Sequence, residues 1–351
     1  MAHGGNVWQG GPPARWQDHS ANLRPEGMPD WVRRALEDSI QSAVYYPDPS
    51  SERGAAALAR ALGLPKECVL PTAGGISALD LATKRGIRSV LTVSPCFTEY
   101  AELAARYDIP VRSVSVLTDG HGIDTSLKAV CREVRAGDDV RLCSPMNPVG
   151  AAFPRENVLR LLRACEEKGA FLTLDEAFCE YCPDRIVRDL VTASDRLIIA
   201  GSLTKILAVP GVRIGYLCAA PKTIERLRSL RLTWEVSCFA EAILEALPDH
   251  LDEIARDARR NTVRREALRA ALLKIGADVY PSEANFLLAD LRTDARSIAR
   301  KLREKGILAR ECMDYEGIAD GHHLRLAVRT EEENTRLAEA LEEAMACAEN
   351  R

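Results

Sequence analysis

The chain lacks an excess of charge of either sign. Its 351 residues carry 47 Lys and Arg against 51 Asp and Glu, a formal net charge of −4. Without a basic field, nucleic-acid binding is not expected. Long apolar runs are missing as well. Phe171 to Leu174 and Leu197 to Ala200 fall far short of the ~20 residues a bilayer-spanning helix needs, so no membrane partner is expected. Met1-Ala2-His3-Gly4-Gly5 has neither the basic stretch nor the apolar segment of a secretory signal, and a cytoplasmic location is the expectation. There is no internal repeat and no low-complexity segment. The 46% hydrophobic and 28% charged content is that of an ordinary globular protein, and the length suggests about two domains at ~100–200 residues each.

Cysteine is the exception to this pattern of absences, with eleven residues. The number is odd and the positions are scattered, so a disulfide framework is not expected. Most read as reduced, buried small hydrophobes. Cys179 and Cys182 form one C-x-x-C pair, but no second pair stands at zinc-ribbon spacing. Local packing is the expected role of that pair, and no metal is expected.

Residues 43–240 alternate short apolar runs with helical stretches. Strands are expected at Cys68 to Leu70, Ser89 to Val93, Val111 to Val116, Val140 to Cys143, Phe171 to Leu174, Leu197 to Ala200 and Ile214 to Cys218. Such alternation predicts an α/β fold with a large, mostly parallel sheet. Residues 241–351 predict a smaller α+β domain. It has a long helix from Leu251 to Ile275, strands at Asn285 to Ala289 and Leu324 to Val328, and a closing helix from Glu331 with Thr330 as its N-cap. Residues 1–42, rich in Gly, Pro and Asn, are expected to pack as an irregular arm joining the small domain.

Ligands of open α/β sheets bind beyond the carboxyl ends of the strands. There the sequence places Pro71-Thr72-Ala73-Gly74-Gly75, Ser144-Pro145-Met146-Asn147, Asp175-Glu176 and Gly201-Ser202-Leu203-Thr204-Lys205. Each feature alone is ordinary. Together they suggest a pyridoxal phosphate site. Lys205 can form a Schiff base with the aldehyde, and Asp175 can pair with the pyridinium nitrogen. The Gly turn opening a helix can hold the phosphate, with Ser202, Thr204 and Arg213 beside it.

The stretch Ser202 to Tyr216, Ser-x-x-Lys followed by Pro-Gly-x-Arg-x-Gly-Tyr, resembles the fold-type I pyridoxal phosphate-dependent transferases, and the resemblance covers nearly the whole chain. Within them the chain is similar to the histidinol-phosphate aminotransferase branch, and in particular to the threonine-phosphate decarboxylases of cobalamin biosynthesis. His3-Gly4-Gly5-Asn6, Asp18-His19-Ser20-Ala21-Asn22, Gly306 to Cys312 and Arg325 to Arg329 carry the latter likeness. It implies decarboxylation of O-phospho-L-threonine, or of O-phospho-L-serine, to an amino-alcohol phosphate. The alternative it leaves open is an aminotransferase of the histidinol-phosphate type.

The same resemblance implies roles for individual residues. Asn147 would bond the ring 3-oxygen, Phe97 would stack on the ring, and the N–H groups of Gly75 and Ile76 would hold the phosphate with Ser202 and Arg213. Tyr46 would reach the phosphate of a neighbouring subunit, which implies a homodimer with shared active sites. Arg325 would grip the substrate carboxylate. His3, Ser20, Asn22, Asn147 and Arg310 would complete the substrate site. The chain departs from the family pattern at Ile76-Ser77, where a hydroxyl residue and Glu are usual, at Phe178 in place of Tyr, at His19, and at Met313-Asp314-Tyr315. All of these departures are expected near the substrate.

Overall fold

The computed structural model describes residues 4–8 and 12–349. Seven strands form the larger sheet. In chain order they are β1 (Val69–Thr72), β2 (Ser89–Ser94), β3 (Val111–Ser115), β4 (Asp138–Cys143), β5 (Phe171–Asp175), β6 (Leu197–Ser202) and β7 (Gly215–Ala219). Their spatial order is β1-β7-β6-β5-β4-β2-β3. Only β7 runs antiparallel to its neighbours. β4, β6 and β7 are buried at every position, as strands covered by helices on both faces must be. β6 and β7 stand out in the sequence as apolar runs for this reason, whereas β4 also buries Asp138, paired with Arg112, and Asp139, paired with Arg85 and Arg141.

The register fixes where the polar residues emerge. Asp175 pairs with Cys143 on one side and Ala200 on the other, and Ser202 pairs with Gly215. The carboxyl ends of β1, β4, β5 and β6 therefore meet the amino end of the reversed β7 at one edge of the sheet. The helix Gly75–Lys84 starts at the same edge, straight after β1.

A second sheet holds β8 (Asp278–Val279), β9 (Phe286–Asp290), β10 (Arg310–Glu311) and β11 (His323–Ala327), all antiparallel, in the order β8-β9-β11-β10. It has its own apolar cluster, with Leu268 and Leu272 of the 24-residue helix Leu251–Lys274 and Leu337 and Leu341 of the last helix. Thr330 caps that last helix as expected. Its Oγ1 accepts the Glu333 N–H at 3.2 Å, while the Glu333 carboxylate accepts from the Thr330 backbone at 3.3 Å, a reciprocal capping box.

The amino-terminal stretch is less irregular than expected. Gln17–Asp18 pairs in parallel with Ile307–Leu308, and Asp30–Ser39 is a helix that buries Trp31 and Val32 in the larger core. Asp30–Ser39 packs on the helix Cys238–Ala246. The latter runs across residue 240, with Ala240, Ile243 and Leu244 in the larger core. Gly and Pro punctuation in residues 1–42 masked the amphipathic stretch after Pro29.

Candidate active site

A cavity of about 300 Å³ lies at that sheet edge, between it and the second sheet. Gly75, Ile76, Phe97, Asn147, Asp175, Ser202, Lys205 and Arg213 from the first part of the chain all line it. Ser20, Asn22, Arg310 and Arg325 complete its wall. Of the predicted site residues, only Tyr46 and His3 are not among them. Tyr46 is 79% exposed and stacks on Trp234 with ring centroids 4.4 Å apart. His3 lies outside the described residues.

One end of the cavity is built for a phosphate. The helix Gly75–Lys84 has no side-chain cap, so its first N–H groups, which lack intrahelical partners, are left facing the cavity. Gly74 has φ +89°, and a Cβ there would meet Arg213 Nη2 at 2.9 Å. The guanidinium lies over this glycine because nothing projects from it. The Ser202 and Thr204 hydroxyls are 2.8 Å apart beside the turn. Ser77 does not contribute its hydroxyl: it donates to Glu235, which also accepts the Ala73 N–H at 2.8 Å. Thr72 Oγ1 donates to the Gly74 carbonyl. Both hydroxyls hold the turn rather than face a ligand.

In the middle lie Asp175 and Lys205. Asp175 is buried, and burial raises its pKa. Two donors offset this: the Tyr100 hydroxyl at 2.7 Å to Oδ2 and the Ala177 N–H at 3.0 Å to Oδ1. Behind Tyr100 lies the fully buried Arg141. It donates to the Tyr100 carbonyl and is anchored by Asp139, which also binds Arg85. Lys205 is lowered from its ordinary 10.5 to about 8, first by burial and then by the positive charges of Arg325 and Arg213. A lysine so placed holds a substantial neutral fraction near neutral pH, which suits it as a nucleophile toward a carbonyl carbon.

At the far end, Arg325 Nη1 donates to Asn147 Oδ1 at 2.7 Å and Nη2 to the Ser20 carbonyl at 2.8 Å. Arginine only donates, so Asn147 must present its oxygen to it, leaving the Asn147 NH2 free as a donor. Arg310 donates to Asp314 at 2.6 Å and packs its guanidinium over Tyr315, whose hydroxyl lies 3.4 Å from Arg325. Gly4 lies against this corner, and a Cβ on it would fall 1.9 Å from the Ser20 carbonyl oxygen.

Three expectations need correction. The Ser20 hydroxyl is not a free donor, because it donates to Asp18 at 2.6 Å and accepts the Gly5 N–H at 2.8 Å; its carbonyl is the group facing Arg325. His19 is not near the substrate. Its Nδ1 meets the Ala327 carbonyl and its Nε2 the Gln17 amide, both at 2.8 Å, in the seam between the amino-terminal segment and the second sheet. Met313 is turned outward and exposed. Cys179 and Cys182 are buried, unbridged and outside the cavity wall. Tyr100 and Glu235 escaped the sequence reading, since each belongs to the site only through long-range contacts; Tyr315, expected near the substrate, does line the cavity.

The comparisons agree with this geometry. The pattern described as "Aminotransferase class I and II" matches residues 20–341. The chain belongs to the aminotransferase class I and II family. It is a pyridoxal 5'-phosphate-dependent enzyme with the fold-type I architecture. The chain is 31% identical to the threonine-phosphate decarboxylase of Salmonella typhimurium over 353 residues, covering 97% of this chain and 95% of the relative. It is also 31% identical to the histidinol-phosphate aminotransferase of Roseiflexus castenholzii over 335 residues, covering 92% and 88%. The solved structure of the Sinorhizobium meliloti histidinol-phosphate aminotransferase in complex with pyridoxal-5'-phosphate superposes with a TM-score of 0.84 at 24% identity, covering 99% of this chain and 98% of that one. The residues present in this family member fit the cofactor: a side-chain-free glycine cradle under a guanidinium, a buried carboxylate, and a lysine of depressed pKa between them. No helix among the described residues is long and apolar enough to cross a membrane.

Proposed function

We propose that the chain is a decarboxylase of an O-phosphorylated amino acid, O-phospho-L-threonine first and O-phospho-L-serine second. The observation that carries the proposal is Gly4, lodged against the Ser20 carbonyl beside Arg325. Gly4, within the His-Gly-Gly-Asn that resembles the decarboxylases, lines the cavity.

The residues divide the work as follows. Gly75 and Ile76 N–H groups, Ser202 and Arg213 hold the cofactor phosphate. Asp175, fixed by Tyr100 and the Ala177 N–H, would hold the proton on the ring nitrogen. The Asn147 amide would donate to the ring oxygen, and Phe97 would flank the ring. Bound pyridoxal phosphate supplies an electron sink for a bond at the substrate Cα. Arg325 binds the substrate carboxylate, which suits its planar fork, and Arg310 with the Asn22 amide serves the substrate phosphate. Carbon dioxide leaves from Cα, the bonding electron pair stays behind, and Lys205 Nζ delivers the proton that replaces it. Tyr46 serves the site of a second subunit in a homodimer. It stands on the surface with the exposed apolar residues Val44, Tyr45 and Leu232, which a partner would cover.

The equal identity to a histidinol-phosphate aminotransferase favours a second reading, transamination with the same residues. The test is product analysis on the holoenzyme with O-phospho-L-threonine, and separately O-phospho-L-serine, in the absence of any keto acid. Catalytic release of carbon dioxide and the amino-alcohol phosphate is expected. Turnover that begins only when 2-oxoglutarate is added would overturn the decarboxylase reading.

A further inference from the structure

A second cluster of chemistry lies on the small sheet, away from the cavity. Asp278, Asp290 and His323 are direct cross-strand neighbours on β8, β9 and β11. Directly opposed residues point to the same face, so the two aspartates and the histidine form a row. Arg292 neutralises one end of the row, its Nε donating to Asp278 Oδ2 at 2.6 Å and its backbone N–H to Asp290 Oδ1 at 2.7 Å, which leaves Asp290 Oδ2 turned toward the histidines. Over this row hangs His121, from the short hairpin after β3 that pairs Leu117–Thr118 with Gly122–Ile123.

The geometry points to a divalent metal site: we propose that His121, Asp290 and His323 bind one zinc ion that clasps the hairpin to the small sheet. One donor atom from each of the three lies within 4.8 Å of the other two, and His121 Nε2 is already 3.0 Å from Asp290 Oδ2. A tetrahedral zinc with bonds of about 2.0–2.1 Å needs donor edges of roughly 3.3 Å, so small side-chain rotations close the site. Two imidazoles and a carboxylate are a zinc-type donor set.

His323 is oriented for this by a carboxylate on its far nitrogen. The His323 Nδ1 meets Asp320 at 2.8 Å. A carboxylate only accepts, so Nδ1 carries a proton, and in the neutral ring the lone pair is on Nε2. That nitrogen faces Tyr280, whose hydroxyl is 3.3 Å away and available as a fourth ligand or as a partner for a bound water. The His121 Nδ1 lies 3.9 Å from Asp278, beyond hydrogen-bond distance, and that carboxylate oxygen accepts from Arg292 at 2.6 Å, so only His323 has a backing carboxylate. Carboxylates backing the far nitrogen are what fix metal-binding imidazoles. His121 itself has φ +64°, a left-handed conformation disfavoured for a residue with a side chain, and it sits between Gly120 and Gly122. The hairpin holds that ring over the row at a conformational cost.

The position has a consequence. His323 and Arg325 are two residues apart on β11 and so share a face. An ion on His323 would tie the strand that carries Arg325 to the larger sheet's side of the molecule.

The test is zinc binding to the chelator-stripped holoenzyme by calorimetry, with cobalt(II) absorption as a second readout. The wild type is expected to take up one zinc per chain and to gain thermal stability with it. His121→Asn is expected to lose that uptake and the zinc-dependent shift in Tm, while keeping the metal-free Tm of the wild type. Asp320→Asn is expected to weaken affinity roughly 10–100-fold. Bound cobalt should lack thiolate charge-transfer bands, which separates this site from the cysteines. No stoichiometric zinc in the wild type, unchanged affinity in His121→Asn, or a thiolate spectrum would each overturn the proposal.

Discussion

Arg310 and Arg325 are direct partners across the antiparallel strands β10 and β11, and both reach the cavity. Like charges so placed repel unless anions lie between them. Asp314 answers Arg310, whereas Arg325 has no carboxylate partner among the described residues. In the proposed function a ligand carboxylate would complete the pattern. Arg325→Ala is expected to raise KM and lower kcat together, because the carboxylate loses both its grip and its orientation. A charged hydrogen bond contributes about 1.5–3 kcal/mol, so kcat/KM should fall about 10–150-fold. Arg310→Ala should impair phosphorylated substrates more than their dephosphorylated analogues. Equal losses on both would take Arg310 out of phosphate recognition.

Lys205→Ala should abolish the visible absorbance band that forms when the wild type is reconstituted with cofactor, and an unchanged band would sink the assignment of this lysine. A pH measurement probes it more finely. The neutral amine attacks, and Lys205 is lowered to about 8. Cofactor uptake by the cofactor-free protein should therefore accelerate as pH rises and level off above about 8. Arg325 is the largest charge contribution to that lowering. In Arg325→Met the inflection should move to higher pH. No movement would mean that burial alone sets the value.

Tyr100→Phe removes one of two donors to Asp175 while leaving the ring packed beside Phe97. The carboxylate then holds a proton more readily and pairs less well with a ring nitrogen. Cofactor Kd is expected to rise about tenfold, the size of a lost hydrogen bond to a charged group. Spectroscopic titration of the stripped protein checks this. An unchanged Kd would show that the Ala177 N–H alone suffices.

The sheet edge was legible because β5 and β6 write themselves as apolar runs that stop at Asp175 and just before Lys205, and because β4 stops just before the Ser-Pro-Met-Asn turn that carries Asn147. Gly74 was legible for the same reason, as a break between strand and helix. Tyr100 was not, because it lies in a helix seventy-five residues before Asp175 and nothing local marks it. Glu235 likewise reaches Ser77 from far along the chain. His121, Asp290 and His323 carry no spacing signal in the sequence, since the cross-strand register and the hairpin after β3 bring them together. His19 misled in the opposite sense. Its place within a site-like stretch suggested substrate, yet β-strand alternation from Gln17 turns it inward, toward Ala327.

That buried histidine sets a pH response of its own. Burial lowers His19 from 6.5 to about 4, and its neighbours fit the neutral ring: Nδ1 donates to the Ala327 carbonyl while Nε2 accepts from Gln17, whose amide also donates to the Glu333 carbonyl. In the unfolded chain the group titrates near 6.5. Between about pH 6.5 and 4 the unfolded state therefore binds more protons, and folding stability falls as pH drops through that window. Between pH 7 and 5 the loss from this group is about 2 kcal/mol. His19→Gln cannot titrate, so its stability should decline less than that of the wild type over the same interval, by about that amount, in denaturant unfolding at the two pH values. Parallel declines in the two proteins would show that other groups, and not this ring, carry the acid sensitivity of the seam.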